Sequence, residues 1–453
     1  MQKKLETIKK VLQQIKQLDG WKISIVQNQK NNLYITKNFE RESSLQSERI
    51  NIEVTIYKKN GNQIGEASFA VLLDDFNEIE FKQKVMQELI ICDHVLNKYY
   101  TLPSPEKISK EYKRINTADE LFQNQEKVTE QLNLLVKQAE QELKKQKNIK
   151  LNSLEVLTDQ NNHRIINSKG IDLEQTKTHI HFECTITAIK KDRENEYIFE
   201  KDTTHFKDIS VNQIINENVV IVNDIVNAEK PKTVTGFIIL SNHAVKEFFT
   251  PHLSLSPLIA HASARLKYME LSTYKKENVI SQRPKADLLT IYSSPLLDCN
   301  PSSSIFDIDG VLSKSIILIE NNKFKNYFAS SRYAQYSGLE PTGALGSIEI
   351  KPGNTPLEKL YTEKKEAYEI ISFASFTPNY ISGDFSAEIR LGYKITSNNK
   401  KITKIPFRGG MFTGNVFSAI TNITLAKETM MDDGYLGPKA VRFNEATIAG
   451  LED

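Results

Sequence analysis

Hydrophobic residues recur at helical spacing at the start of the chain and at strand spacing directly after it. Residues 2–18 place apolar side chains every three or four positions among Lys and Gln, which predicts an amphipathic helix ending at Asp19-Gly20. Strands are then predicted at residues 21–26, 33–36, 50–57 and 64–73. Between the last two, Asn60-Gly61 predicts a tight hairpin, because both residues tolerate positive φ.

Two further helices are predicted before the pattern changes. Residues 76–100 carry an apolar stripe and are followed by two prolines, which do not continue a helix. The segment 117–146 is predicted as a long helix, with Thr117 as N-cap and Glu120 completing a capping box. A coiled coil is the alternative for this Lys-rich segment. Its heptads are not sustained, which favours one helix lying across a sheet.

From residue 151 onward, apolar and polar residues alternate as in half-buried strands. The strands predicted best are 154–157, 164–168, 179–190 and 197–205. The apolar run 219–226 leads into a connector with Lys and Pro at 228–233, where we place a domain boundary. The second half is predicted to contain a strand at 235–240, a helix at 243–249, hairpins at 316–328 and 386–405, and a helix or long connection at 415–426.

These elements predict an α+β protein with two domains, as expected for a chain of 453 residues. The N-terminal domain, residues 1–230, is predicted to pack helices on a strand meander. The C-terminal domain, residues 231–453, is predicted to be strand-rich and similar to a β-barrel or sandwich.

Composition excludes several classes of protein. The net charge of +2 does not favour nucleic acid or an anionic membrane as the main partner. No segment approaches the roughly 18 apolar residues of a membrane-spanning helix. The charged N-terminus is not typical of a secretory signal. The three cysteines, Cys92, Cys184 and Cys299, lie far apart and indicate reduced thiols in a cytoplasmic protein.

Complete catalytic motifs are absent from the sequence. The chain has no GxGxxG after a strand, no GxxxxGK[ST], no GxSxG, no HExxH, no CxxC and no EF-hand loop. The common sequence signatures of dinucleotide, nucleotide, hydrolase and zincin sites are therefore missing. We predict no catalytic residue in this chain from motifs of its own.

The strand at 179–190 carries the first partial signal for a functional site. On a strand His179, His181 and Glu183 point to one face, at a spacing that can hold a metal ion. The alternative is a polar sheet surface that happens to include two histidines. Lys177 and Thr185 continue the same polar face and favour that alternative.

The second partial signal is a set of histidines, His243, His252 and His261, in the second half of the chain. His261 lies in residues 256–267, which we predict as one helix. A helical zinc site needs a second ligand about one turn away and a carboxylate as general base, and neither is present beside His261. A structural histidine at an interface or in a partly buried position is therefore favoured.

The third partial signal is the pair of acids in Phe306-Asp307-Ile308-Asp309-Gly310. Paired carboxylates before a glycine can bind a cation or act as an acid–base pair. Asp and Gly are more often found together in polar turns, where the carboxylate accepts hydrogen bonds from nearby backbone N–H groups. The turn is the favoured interpretation.

The order of segments in the second half resembles the TldD/PmbA metallopeptidase family. The resemblance is carried by FDIDGVLSKSIILIENNKFKNYF (306–328), SRYAQYSGLEPTG (331–343), IEIKPGNT (348–355), SGDFS (382–386) and ATIAG (446–450). It is specific from about residue 290 to 450 and consists only of a pattern of elements before that.

The resemblance implies a two-domain α+β fold and a cytoplasmic protein that works in proteolysis of unfolded peptides. TldD-kind members hold the catalytic metal through an HExxxH helix and a C-terminal cysteine. PmbA-kind members, also called TldE, lack that motif and pair with a TldD subunit. Here only His261 matches the motif, because Ala262 and Leu266 replace its Glu and second His, and no cysteine follows Cys299. One histidine cannot fix a zinc ion that normally takes three protein ligands.

We therefore expect a PmbA-like subunit without a metal or cofactor of its own, whose TldD-like partner holds zinc or a similar divalent ion. Gly383, Asp384, Phe385 and Ser386 are predicted to bind peptide or partner, with Asp309 and Gly310 as further candidates. A structural turn at the start of a strand is an equally supported alternative for residues 382–386. Two other hypotheses stay open, namely a peptidase with its own metal site and a homodimeric or larger homo-oligomeric binding protein.

Overall fold

A computed structural model describes residues 1–107, 112, 115–252, 254–281, 287–398 and 401–451. The helices of this part are α1 (Gln2–Gln14), α2 (Glu78–Cys92), α3 (Gln125–Leu143), α4 (Val211–Asn227), α5 (Asn242–Phe249), α6 (Pro257–Ala260), α7 (Ala264–Tyr268), α8 (Ser331–Ser337), α9 (Leu357–Thr362) and α10 (Val416–Ala419). Its strands in the first half are β1 (Gly20–Ile35), β2 (Arg41–Asn60), β3 (Gln63–Val71), β4 (Leu96–Lys98), β5 (Ile149–Asn167), β6 (Asp172–Lys190) and β7 (Arg193–Thr203). Its later strands are β8 (Val234–Ser241), β9 (Ile291–Ser294), β10 (Ile316–Glu320), β11 (Lys323–Phe324), β12 (Ser347–Ile350), β13 (Glu366–Pro378), β14 (Asp384–Asn398), β15 (Lys401–Phe407), β16 (Met411–Asn415), β17 (Ile423–Leu425), β18 (Thr429–Asp432), β19 (Tyr435–Pro438) and β20 (Ala440–Ala449).

The first half forms one antiparallel sheet in the order β4-β3-β2-β1-β5-β6-β7. Helices α1 and α2 pack on the β1–β3 end, and α3 and α4 pack on the β5–β7 end. The apolar stripes of these helices meet alternate strand residues, which are buried because successive strand side chains point to opposite faces. The other face of the sheet is polar along β5, β6 and β7.

Several predicted elements of this half are confirmed with different bounds. The hairpin at Gly61 has the predicted positive φ, at 59°. The short strands at 21–26 and 33–36 are parts of β1, and those at 154–157 and 164–168 are parts of β5. Polar residues in the middle of these strands hide their continuity, because both sheet faces are polar there.

The predicted start of the third helix was wrong, and the fourth helix was not predicted. Thr117 does not cap the third helix, since its hydroxyl donates to Thr176 O at 2.7 Å. The α3 helix begins at Gln125, and the Asn124 side chain accepts from the N–H groups of Glu126 and Lys127. The apolar run 219–226, for which no element was predicted, is the second half of α4.

The second half contains a closed barrel of five strands, β8, β20, β16, β14 and β13. Strands β8 and β13 pair in parallel and the other barrel neighbours are antiparallel. Strand β15 extends the sheet from β14, and β17 pairs with β20. A separate six-stranded sheet has the order β11-β10-β9-β12-β19-β18. The α+β class and the strand-rich second half are thus confirmed.

Helix α4 contacts elements on both sides of residue 230. It packs on β6 and β7 and also on β14 and β15, and Tyr393 Oη donates to Asp224 Oδ2 at 2.7 Å. The division into domains 1–230 and 231–453 stays a prediction.

No described helix is long and apolar enough to cross a membrane. The three cysteines are free.

Candidate functional site

His261 lies at a break between two short helices. The predicted single helix over 256–267 is wrong, because α6 ends at Ala260 and α7 begins at Ala264. The Ser263 side chain accepts from the N–H of Arg265 and caps the new helix. A serine that bonds to the backbone in this way ends one helix and starts another. His261 is the C-cap residue of α6.

Both ring nitrogens of His261 are used in hydrogen bonds. Nδ1 accepts the backbone N–H of Thr273 at 2.9 Å, and Nε2 lies 2.8 Å from Ile381 O. Because a carbonyl oxygen only accepts, Nε2 carries the proton of the neutral ring. Burial lowers the pKa of His261, whose side chain has no exposed surface. The rings of Tyr274 and Phe417 lie 5.4 and 5.3 Å away, centroid to centroid.

The two motif positions after His261 carry no metal-ligating side chain. Ala262 and Leu266 stand where the HExxxH motif has its Glu and second His, and both have buried apolar side chains. In the part of the chain that the structure describes, no set of three metal-ligating side chains within 4.8 Å of one another includes His261. His243 lies instead on α5, where burial lowers its pKa, and His252 follows that helix.

The Ser382–Ser386 segment lies against His261, which the sequence did not indicate. The residue that precedes it, Ile381, accepts the His261 hydrogen bond. Asn415 Nδ2 donates to Ser382 O at 2.8 Å and to Asp384 Oδ1 at 2.9 Å. Ser382 Oγ donates to the other oxygen of Asp384 at 2.7 Å, and these bonds lower the pKa of the Asp384 carboxyl.

Gly383 is required by the geometry of this turn. Its φ is +84°, and a Cβ there would lie 2.6 Å from the Phe417 ring. Phe385 is buried in the barrel core, whereas Ser386 is exposed on β14. The segment thus forms a structured turn at the start of a strand, with Asp384 and Ser386 exposed. Binding of peptide or partner by these residues stays a prediction.

The turn at Asp307–Val311 packs on the polar face of the first sheet. Asp307 Oδ1 accepts the N–H groups of Asp309 and Val311, each at 2.9 Å. Lys22 on β1 forms an ion pair of 2.9 Å with Asp309. Burial, and then the charge of Asp309, raise the pKa of Asp307 to about 6.

Gly310 completes that contact between the two halves of the chain. It is buried with φ +84°, and a Cβ there would lie 2.9 Å from Ile171. The geometry is that of the polar turn favoured above. A binding role for Asp309 and Gly310 stays a prediction.

The strand histidines lie as predicted on one face of β6, with Glu183. His179 Nε2 and His181 Nδ1 donate to the same oxygen, Asp202 Oδ1, at 2.6 and 2.9 Å. The hydrogen bond to Asp202 raises the pKa of His181 to about 8 although burial opposes this. His181 Nε2 lies 3.6 Å from Glu183 Oε2. Glu200 on β7 joins them, with ligand atoms of all three residues within 4.8 Å of one another.

Sequence reasoning missed Asp202 and Glu200. Both lie on β7, which was predicted as a strand, but its pairing with β6 was not. The register that sets His181 opposite Asp202 and Glu183 opposite Glu200 depends on the hairpin between the two strands. The signal available in the sequence was the spacing of Glu200 and Asp202, which places two acids on one face of the strand that follows the histidines.

Two models of one protein family match most of the chain. Residues 106–221 match the PmbA/TldA metallopeptidase central domain, and residues 233–450 match the PmbA/TldA metallopeptidase C-terminal domain. An uncharacterized protein of Methanocaldococcus jannaschii is 29% identical over 56% of this chain and 59% of its own length. A zinc metalloprotease TldD homolog of Saccharolobus solfataricus is 28% identical over 39% of this chain and 42% of its own length.

Solved structures share the fold over nearly the whole chain. TldE from Thermococcus kodakarensis has a TM-score of 0.79 at 18% identity, covering 98% of this chain and 100% of its own. A putative modulator of a DNA gyrase from Thermotoga maritima has a TM-score of 0.80 at 17% identity, with the same coverage. At such low identity these likenesses show the fold alone.

Proposed function

The chain belongs to the PmbA/TldD metallopeptidase family, and from that premise we propose that it is a PmbA/TldE-like subunit of a cytoplasmic metalloprotease. Its partner is a TldD-like subunit with an HExxxH motif, which holds zinc or a similar divalent ion. The two together act on unfolded peptides. The chain itself supplies no catalytic metal ligand and serves to complete the substrate-binding surface.

The state of His261 is the observation that carries this proposal. A histidine that binds a metal ion needs a free lone pair on one ring nitrogen. In His261, Nδ1 already accepts the backbone N–H of Thr273, and Nε2 carries a proton that it donates to Ile381 O. Freeing the ring would break both of these hydrogen bonds, at about 0.5–1.5 kcal/mol each. Ala262 provides no carboxylate to act as general base. A site with these features is suited to structure rather than to hydrolysis.

Peptide binding by strand addition fits the sheets of this fold. Strand β7 is the outer strand of the seven-stranded sheet and is 11 residues long. An outer strand presents backbone N–H and C=O groups to an extended chain, which gives affinity with little dependence on sequence. That property suits a protein that accepts unfolded peptides.

Co-expression with an HExxxH-bearing family member tests the proposal. The masses of each chain and of the mixture are measured by light scattering, and hydrolysis is followed with a denatured, fluorescently labelled polypeptide. We expect a hetero-oligomer in which only the mixture is active. Replacing the Glu of the partner's HExxxH by Gln should abolish activity. The matched variant His261→Asn in this chain should leave it unchanged, provided that light scattering shows the complex.

Each alternative predicts a different result of the same experiment. Hydrolysis by this chain alone at the rate of the mixture would identify a peptidase with its own site and refute the proposal. A stable homo-oligomer that ignores the family member would identify a homo-oligomeric binding protein. Failure of the two chains to associate counts against the paired-subunit role.

A further inference from the structure

A cluster of metal-ligating side chains lies on the polar face of the seven-stranded sheet. Ligand atoms of His181, Glu183 and Glu200 all lie within 4.8 Å of one another. Glu183 is opposite Glu200 in the β6–β7 register, and His181 precedes Glu183 by two residues on the same face. Two paired strands therefore hold the three side chains, which gives a more rigid arrangement than a loop would.

Asp202 orients the imidazole of this cluster. His181 Nδ1 donates to Asp202 Oδ1 at 2.9 Å, so that the neutral ring keeps a free lone pair on Nε2. That nitrogen is the one that lies 3.6 Å from Glu183 Oε2. Histidines that bind metals usually donate their other N–H to a carboxylate in this way. His179 donates Nε2 to the same Asp202 oxygen and stays outside the cluster.

Carboxylates also face one another across the strands that carry the cluster. Glu155, Glu183 and Glu200 lie directly opposite one another on β5, β6 and β7. Like charges at such positions destabilise a sheet. Within the described ranges, none of the three forms an ion pair with Lys or Arg. A bound cation would relieve this repulsion.

We propose that His181, Glu183 and Glu200 form a binding site for a divalent transition metal, with Zn²⁺ as the best-fitting ion. Zinc bonds of about 2.1 Å to nitrogen and oxygen place tetrahedral ligands about 3.4 Å apart. The His181–Glu183 distance of 3.6 Å already has that spacing. One imidazole with two carboxylates suits Zn²⁺ better than Mg²⁺ or Ca²⁺, which prefer all-oxygen sites. The ion would link β6 to β7, and we assign no reaction to it.

Metal titration of the purified full chain tests the site. Zn²⁺ binding is measured by calorimetry at pH 8, where a metal ion more readily replaces the His181 proton. Co²⁺ is added as a spectroscopic probe, because a tetrahedral site gives strong visible absorption. The variants are His181→Gln, Glu183→Gln and Glu200→Gln. His179→Gln is the matched control, since it removes a histidine from the same strand face but no proposed ligand. Circular dichroism confirms that each variant is folded.

We expect one Zn²⁺ per chain, at least tenfold weaker binding in each of the three ligand variants, and less than threefold weaker binding in His179→Gln. Glu200 is exposed, so its variant will fold and is decisive by itself. Absence of stoichiometric binding by the unmodified chain would refute the site. Unchanged affinity in Glu200→Gln, or equal loss in His179→Gln, would refute this set of ligands.

Discussion

Asp307 should make the folded state less stable as the pH rises from 4 to 7. Burial and the charge of Asp309 raise its pKa from 3.8 to about 6. Below pH 4 the carboxyl is protonated in both the folded and the unfolded chain, and it contributes no pH dependence. Between these two pKa values only the unfolded chain releases the proton, which favours unfolding. Above pH 6 both states are ionised and the penalty is constant.

The magnitude follows from the difference between the two pKa values. A shift of one pKa unit corresponds to about 1.4 kcal/mol, so the penalty at neutral pH reaches about 3 kcal/mol. The variant Asp307→Asn removes the charge but keeps the oxygen that accepts from Asp309 and Val311. We expect its free energy of unfolding, relative to the unmodified chain, to rise by up to about 3 kcal/mol between pH 4 and 7. Lys22, which faces the turn from β1, lowers the pKa and limits the effect.

Urea unfolding at several pH values measures this difference. Trp21 is the single tryptophan and is buried beside Lys22 on β1, so its fluorescence reports on the sheet that the turn contacts. The control is Asp384→Asn, where an exposed turn carboxyl has a lowered pKa and the sign is opposite. Relative to the unmodified chain, that variant should lose stability as the pH rises towards 4, and the difference should be constant from pH 5 to 7. A flat or falling difference for Asp307→Asn would refute the reasoning.

Three further substitutions test the described contacts by thermal melting. His261→Ala should cost about 2–5 kcal/mol, because it truncates a fully buried side chain and removes both of its hydrogen bonds. An unchanged melting temperature would contradict these contacts. Gly383→Ala should cost more than the control Gly61→Ala, because both have positive φ but only the first would contact Phe417; equal losses would contradict the close approach. Asn124→Ala should cost about 1 kcal/mol as loss of the α3 N-cap, and no loss would contradict that cap.

The local pattern of residues determined much of the element list. The amphipathic spacing of Leu5, Ile8, Val11 and Leu12 predicted α1, and the hairpin at Gly61 followed from its turn chemistry. The local pattern did not predict a helix where polar residues interrupt its apolar stripe. Residues 219–226 were apolar without a clear period, because asparagines of α4 interrupt its stripe, and the helix was missed.

The sequence by itself determined the α+β class, the strand-rich second half, the family and the absence of an HExxxH motif. These depend on local periodicity and on motifs, which are readable along the chain. Only the tertiary structure decided that both ring nitrogens of His261 form hydrogen bonds with backbone groups. One of these groups is the carbonyl of Ile381, 120 residues away. It also decided that Glu200 joins His181 and Glu183. Such contacts depend on strand register and on packing between distant segments, and no local pattern specifies them.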